Sequence, residues 1–157
     1  MMKMFISFFL IIFFGMLSNV FALEKGAWSF VKTDEYCYIG SQAIKTDLPN
    51  DKIRGDYYIL VYKNIGNSQT VVQIEAGYDY KNGSEIIVNI DNGKYEFYST
   101  EDMPEAAWTD NDDKVIFAMK KGLELMITGE SSRGTITNDK YTLKGFTSAY
   151  SNLTENC

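Results

Sequence analysis

The densest run of side chains able to do chemistry is Ser131-Ser132-Arg133-Gly134-Thr135. A serine nucleophile there would attack an acyl carbon and would need a base to take its proton. The chain has no histidine, which removes Ser-His-Asp and Cys-His arrangements together with His-ligated metal sites. No S-x-x-K or G-x-S-x-G frame surrounds Ser131 or Ser132. No catalytic residue is assigned. Arg133 is one of two arginines, and its planar fork suits either a structural ion pair or contact with an anionic ligand. Ser131 and Ser132 stand beside it as candidate contacts.

Asp110-Asn111-Asp112-Asp113 suggests calcium, but an EF-hand loop needs Gly at its sixth position and Glu at its twelfth. Counted from Asp110 those positions hold Val115 and Lys121. Acids at the start, Lys120-Lys121 at the end and Gly122 just beyond are instead what helix termini favour. The segment predicts a short helix over 111–121, with no metal and no cofactor. Glycoside hydrolysis by paired carboxylates is not selected either, because 21 acids offer many pairs and no preferred one.

Cys37 and Cys157 are the only cysteines, and their meaning depends on where the chain goes. Lys3 precedes an apolar run from Phe5 to Leu17, and Val20-Phe21-Ala22 places small residues at the first and third positions before a cut. Those are the parts of a secretory signal peptide cleaved after Ala22. A membrane anchor is the rival, but about 20 apolar residues are needed to span a bilayer. The expected organisation is a signal peptide over 1–22 and a single β-rich domain over 23–157, with no transmembrane span in the mature protein. Losing Lys3 takes the net charge from −6 to −7. That sign argues against a nucleic-acid partner. In an oxidising compartment two thiols more often pair than stay free. A Cys37–Cys157 disulfide is expected, the alternatives being free thiols or an intermolecular bridge.

Strands must carry most of this chain, which is 45% hydrophobic and 15% aromatic. Val72, Ile74, Ala76, Tyr78 and Tyr80 alternate with Val71, Gln73, Glu75, Gly77 and Asp79, and Ile86, Val88 and Ile90 with Ile87, Asn89 and Asp91. Asp91-Asn92-Gly93 predicts a hairpin over 84–99. Lys81-Asn82-Gly83 reads as a second turn, making 70–99 a three-stranded meander. Tyr57 to Tyr62 leaves neither face polar, so this strand is covered on both sides or sends tyrosine hydroxyls to water. Residues 28–32 and 36–41 pair across Thr33-Asp34-Glu35. Residues 135–137 and 141–143 flank Asn138-Asp139-Lys140 as a further hairpin. Phe146, Ala149, Tyr150 and Leu153 form one helical stripe over 146–154, on which Cys157 also falls, while Cys37 shares a face with Ile39. The sum is an all-β, antiparallel β-sandwich or flattened barrel with one or two short helices. An outer-membrane barrel is disfavoured by the charged outward positions and the polar helical tail.

Trp28, Cys37-Tyr38-Ile39, Ala107-Trp108, Ser131-Ser132-Arg133-Gly134-Thr135, Leu143-Lys144-Gly145-Phe146 and terminal Cys157 stand in an order that resembles the invasion-associated locus B (IalB) family of alphaproteobacteria. Thr142 departs mildly from that pattern, where the family often has serine. The resemblance implies a periplasmic or secreted, envelope-associated β-rich protein, linked in some pathogens to host-cell entry and virulence. It brings no catalytic residues. The expected function is a non-enzymatic binding module for an envelope or host-surface protein, with a surface subset of tyrosines as one candidate patch. The alternatives are a periplasmic hydrolase using carboxylates and a structural or folding-support protein of the envelope.

Overall fold

The computed structural model describes residues 23–157, and the expected signal peptide over 1–22 lies outside the described residues. The strands form two five-stranded antiparallel sheets. The first holds β1 (Ser29–Lys32), β2 (Tyr36–Gln42), β4 (Tyr58–Asn64), β5 (Val71–Glu75) and β8 (Ala106–Ala107), in the order β1-β2-β4-β5-β8. The second holds β3 (Lys45–Thr46), β6 (Ile86–Ile90), β7 (Gly93–Phe97), β9 (Glu124–Glu130) and β10 (Ile136–Thr142), in the order β3-β10-β9-β6-β7. Helix α1 (Asp112–Lys121) precedes β9, and α2 (Phe146–Asn156) follows β10. The antiparallel sandwich-like architecture agrees with the expectation from the sequence.

Alternation along each strand builds the core. Ile39, Ile59, Val61, Val72 and Ile74 point inward from the first sheet; Ile86, Val88, Leu125, Ile127 and Tyr141 do so from the second. The helices add Val115 and Met119 from α1 and Phe146 and Leu153 from α2. The β1–β2 hairpin forms as expected. Its turn is tied by the Thr33 hydroxyl, which accepts the Tyr36 N–H at 3.1 Å and donates to the Tyr36 carbonyl at 2.8 Å. The β6–β7 hairpin also forms, with Asp91 at φ +48°. The Asp91 carboxylate then accepts the Leu123 and Glu124 N–H groups at the entry to β9.

Two expectations are corrected. The meander over 70–99 does not exist, because β5 and β6 lie in different sheets. The period-two pattern does run past Glu75, with Ala76 and Tyr80 buried, but the partner changes. Ala76 N–H donates to the Glu105 carbonyl, Tyr80 N–H to the Pro104 carbonyl, and Lys81 N–H to the Glu130 carbonyl of the other sheet. Gly77, at φ +69°, turns the chain against Gly55. Lys81-Asn82-Gly83 therefore lies on a crossover between layers.

The hairpin at 138–140 is also absent. Residues 136–142 form one strand paired along its whole length with β9. Asn138 is held extended because Asp47 accepts its backbone N–H at 2.6 Å and its side-chain amide at 2.7 Å. Asp139 points into the interior between buried Thr137 and Tyr141, where an arginine meets it.

Candidate functional site

The disulfide expected from export is present. Cys37 and Cys157 are bonded with Cα atoms 5.9 Å apart and a sequence separation of 120. Cys37 is fully buried on β2, and Cys157 closes α2 against it. The staple makes β2 a fixed wall, and the outward face of that wall is the first candidate site.

Tyr36 and Tyr38 project outward from β2, and Tyr58, Leu60 and Tyr62 from β4. Register places Tyr38 directly across from Tyr62 and Gln42 across from Tyr58. The Tyr36 and Tyr38 rings stack with centroids 6.1 Å apart. Gly40 opposes Leu60 between these pairs, and a Cβ there would meet Leu60 Cδ2 at 2.5 Å and the Leu23 methyls at 2.9 Å. The result is a tyrosine-walled groove of about 600 Å³ on the outer face, with Leu23 across Gly40 and Gln73 along the β5 side. The strand whose sequence is apolar on both faces thus buries Ile59 and Val61 inward and leaves Tyr58, Leu60 and Tyr62 half-buried outward.

Asp56 carries the one charged side chain in the groove lining among the described residues. Burial raises the Tyr58 hydroxyl above its ordinary value, and Glu75, Asp56 and Glu105 raise it further. Burial likewise raises Tyr38, with Tyr36 adding to it. Gln73 Nε2 donates to Glu75 at 2.6 Å, and Trp108 Nε1 donates to Gln73 at 3.3 Å. The Glu75 carboxyl is raised by burial, partly offset by Gln73 and reinforced by Glu105.

The serine-arginine run forms the turn between β9 and β10. Ser131 N–H donates to the Thr135 carbonyl at 2.8 Å, and the Ser131 hydroxyl accepts the Thr135 N–H at 3.1 Å. Gly134, at φ +82°, closes the turn with its N–H on the Ser131 carbonyl. Ser131 is therefore a structural residue of the turn. Ser132 and Arg133 are exposed, and no carboxylate lies within 4 Å of Arg133 among the described residues. All three line a polar cavity of about 270 Å³ together with Arg54, Tyr78 and Thr137.

The buried ion pair belongs to the other arginine. Arg54 forks onto Asp139, with Nη1 donating to Oδ2 at 2.8 Å and Nη2 to Oδ1. The side chains are 3% and 7% exposed. Nη1 also donates to the Ala76 carbonyl and Nη2 to the Thr46 hydroxyl. The guanidinium lies 3.5 Å from the centroid of Tyr57. Burial opposes the charge, but the Asp139 bonds prevail and hold the guanidinium protonated. Neither Arg54 nor Asp139 stands out from the sequence by motif or spacing. The usable signal is the scarcity of arginine, since each of two planar forks in a lysine-rich chain invites its own account.

Among the described residues, no cluster of three or more Cys, Asp or Glu is placed to hold a metal. No helix among them is long and apolar enough to cross a membrane. The crystal structure of invasion associated protein B from Bartonella henselae is similar to this chain at TM-score 0.57 and 16% identity. The match covers 82% of this chain and 92% of that one, and supports the fold. No curated protein matches the sequence. The family model described as invasion associated locus B (IalB) protein matches residues 31–154, from β1 through most of α2. By that match across both sheets and both helices, the chain belongs to the invasion associated locus B family.

Proposed function

We propose that this is an exported envelope protein, periplasmic or secreted after cleavage at Ala22, that acts by binding rather than catalysis. Its binding surface is the tyrosine groove, and its partner is an extended, basic segment of another envelope or host-surface protein. The carrying observation is the groove itself: four tyrosine faces on adjacent strands and no lysine or arginine side chain among the described lining residues, the one acid, Asp56, being offset by the α-ammonium that cleavage after Ala22 leaves on Leu23. β2 and β4 each run seven residues, roughly 20 Å at strand rise, which suits an extended chain better than a compact ligand. Tyrosine faces attract lysine and arginine side chains, and exposed cation–π contacts contribute about 0.5–1 kcal/mol each. Family membership and the cysteine staple support the envelope setting.

The test is binding of two fluorescent peptides of equal length, one alternating Lys with Thr and the other Glu with Thr. The expected result is saturable binding of the basic peptide, weakened by salt and lost in Tyr38→Ala. Equal binding by Tyr38→Ala, or preference for the acidic peptide, overturns the reading. A mature N-terminus at Leu23 in the envelope fraction, read by mass spectrometry, checks the export step separately.

One observation favours hydrolysis by carboxylates as a second reading. Glu75 and Glu105 line a shallow cleft of about 270 Å³ beside Asp79, and the Glu75 carboxyl is raised, as a general acid requires. Release of sugar from envelope glycans that disappears in Glu75→Gln would establish that reading in place of binding.

A further inference from the structure

The polar cavity at the β9–β10 turn shares no lining residue with the tyrosine groove, and its ligand chemistry is independent of whatever the groove binds. Its donors exceed what the fold uses. Arg133 has no carboxylate within 4 Å, and the Ser132 and Thr135 hydroxyls donate to no protein acceptor among the described residues. Arg54, also in the lining, carries a buried Nε–H with no acceptor. Ser132 and Arg133 are exposed and meet solvent, and a guanidinium beside hydroxyl donors suits an oxyanion ligand.

Charge narrows the ligand further. The Arg54 charge is already met by Asp139. What remains in the lining is Lys52 and Arg133 against Asp79 and Glu105, two of each sign. A phosphate dianion would meet the two cations but be repelled by the two acids. A ligand carrying one carboxylate and one ammonium answers both sets. The Ser132 N–H donates to the Asp79 backbone carbonyl at 2.7 Å, so the β9–β10 turn and the crossover segment that carries Asp79 run side by side in the cavity wall. The volume of about 270 Å³ lies below the roughly 300–1,000 Å³ of sites for drug-sized molecules, so the ligand is small. Leu48, Tyr78 and Ile53 give the cavity an apolar side, and Ile53 is 98% exposed, an apolar surface that a ligand side chain would cover.

We infer that this cavity binds a free amino acid, with its carboxylate on Arg133 and the Ser132 and Thr135 hydroxyls and its ammonium on Asp79 and Glu105. The walls are held before binding, since Arg54 is fixed by the Asp139 fork and by stacking on Tyr57. The charged residues at the rim are exposed, so the complex forms and breaks readily and its affinity falls with salt.

Calorimetric titration of the mature, disulfide-bonded protein tests the assignment with L-leucine, L-alanine, N-acetyl-L-leucine, L-leucinamide and inorganic phosphate as probes. Saturable binding of at least one free amino acid is expected. The acetylated and amidated forms, lacking ammonium or carboxylate, should bind about tenfold more weakly or worse, and phosphate more weakly than either. Arg133→Ala and Asp79→Asn should each weaken the amino acid about tenfold with an unchanged melting temperature, because both side chains are exposed and form no ion pair among the described residues. No saturable binding of either amino acid, phosphate as the tightest probe, or unchanged affinity in Arg133→Ala overturns the inference. Loss of amino-acid binding would leave the peptide assay of the groove unaffected, so the two readings fail separately.

Discussion

Arg54 and Asp139 are 85 residues apart in sequence, yet the guanidinium of one forks onto the carboxylate of the other inside the sandwich. Arg54 comes from the segment between β3 and β4, Asp139 from the middle of β10. The same guanidinium reaches the Ala76 carbonyl and the Thr46 hydroxyl. One side chain thus ties together a loop, the crossover between sheets and the edge of the second sheet.

Removing one partner of this pair leaves an uncompensated buried charge. Arg54→Met alone is expected to cost about 3–5 kcal/mol, read as a lower urea midpoint with an unchanged slope. Arg54→Met with Asp139→Leu should recover most of the loss, since an apolar pair of similar volume requires no desolvation of charge. A double variant as unstable as the single one would mean that the bonds to Ala76 and Thr46, rather than the charge pair, hold this region.

The staple between Cys37 and Cys157 closes a loop of 120 residues. For a loop of that size the chain-entropy account gives about 4–5 kcal/mol. Cys157→Ser should lower stability by an amount of that order, and reductant should do the same to wild type but nothing further to the variant. Because Cys37 is fully buried on β2, Cys37→Ser adds the burial of a hydroxyl and should be the more damaging change. Guanidinium unfolding with and without reductant checks both.

Local signals were legible in the sequence and long-range ones were not. Thr33-Asp34-Glu35, Asp91-Asn92-Gly93, the acids before Val115 and the stripe ending at Cys157 each act within a few residues, and each produced its expected element. Asn138-Asp139-Lys140 misled because its turn preference is local, whereas Asp47 and Arg54, which hold it extended, arrive from 91 and 85 residues away. Alternation along 71–80 identified the buried face correctly but carries no information on which strand lies alongside. The tyrosines of the groove were visible as residues, but their convergence depends on the β2–β4 register, which no spacing encodes.

Gly77 is where the chain leaves the first sheet, at φ +69°, and a Cβ would press on the Gly55 carbonyl. Gly77→Ala should lose about 2 kcal/mol or more, combining left-handed strain with the clash. Gly83 has a similar φ of +72° but nothing within 4 Å. Gly83→Ala should therefore show the strain alone, about 1 kcal/mol. Chemical denaturation of both variants separates the two costs, and equal losses would remove the close approach as a factor.

Carboxyls in this fold push stability in opposite directions with pH. Burial and Glu105 raise Glu75; burial, with Asp113 and Asp110, raises Asp112 despite the Val72 N–H it accepts. Over the window from the ordinary carboxyl value up to those raised values, the folded protein binds more protons than the unfolded chain, so their contribution falls as pH rises. Asp47 is the reverse. Burial opposes its charge, but the Asn138 amide and backbone N–H hold its carboxyl low. Its contribution is present above the ordinary value and is lost as pH falls through the depressed one. Glu75→Gln should therefore melt above wild type at about pH 7 and match it near pH 3, while Asp47→Ala should lose stability at neutral pH. Parallel melting curves at the two pH values decide between these signs.

Gly40 offers a way to fill the groove without altering a tyrosine. Its φ lies outside the left-handed region, so a side chain is compatible with its backbone, and the atoms a Cβ would meet are the ends of Leu60 and Leu23. Both are flexible tips on the outer face and can move aside without disturbing Ile59 or Val61 beneath. Gly40→Val should therefore change stability by no more than about 1 kcal/mol, and valine suits a strand better than glycine does. Binding should respond differently. The added methyls, with the displaced leucines, occupy the floor between the Tyr38–Tyr62 and Gln42–Tyr58 pairs, the volume an extended partner would need. Loss of basic-peptide binding with an unchanged melting temperature would locate the interaction in the groove. Retained binding in Gly40→Val, with Leu60 shown by NMR to have shifted, would mean that the partner contacts only the tyrosine rims.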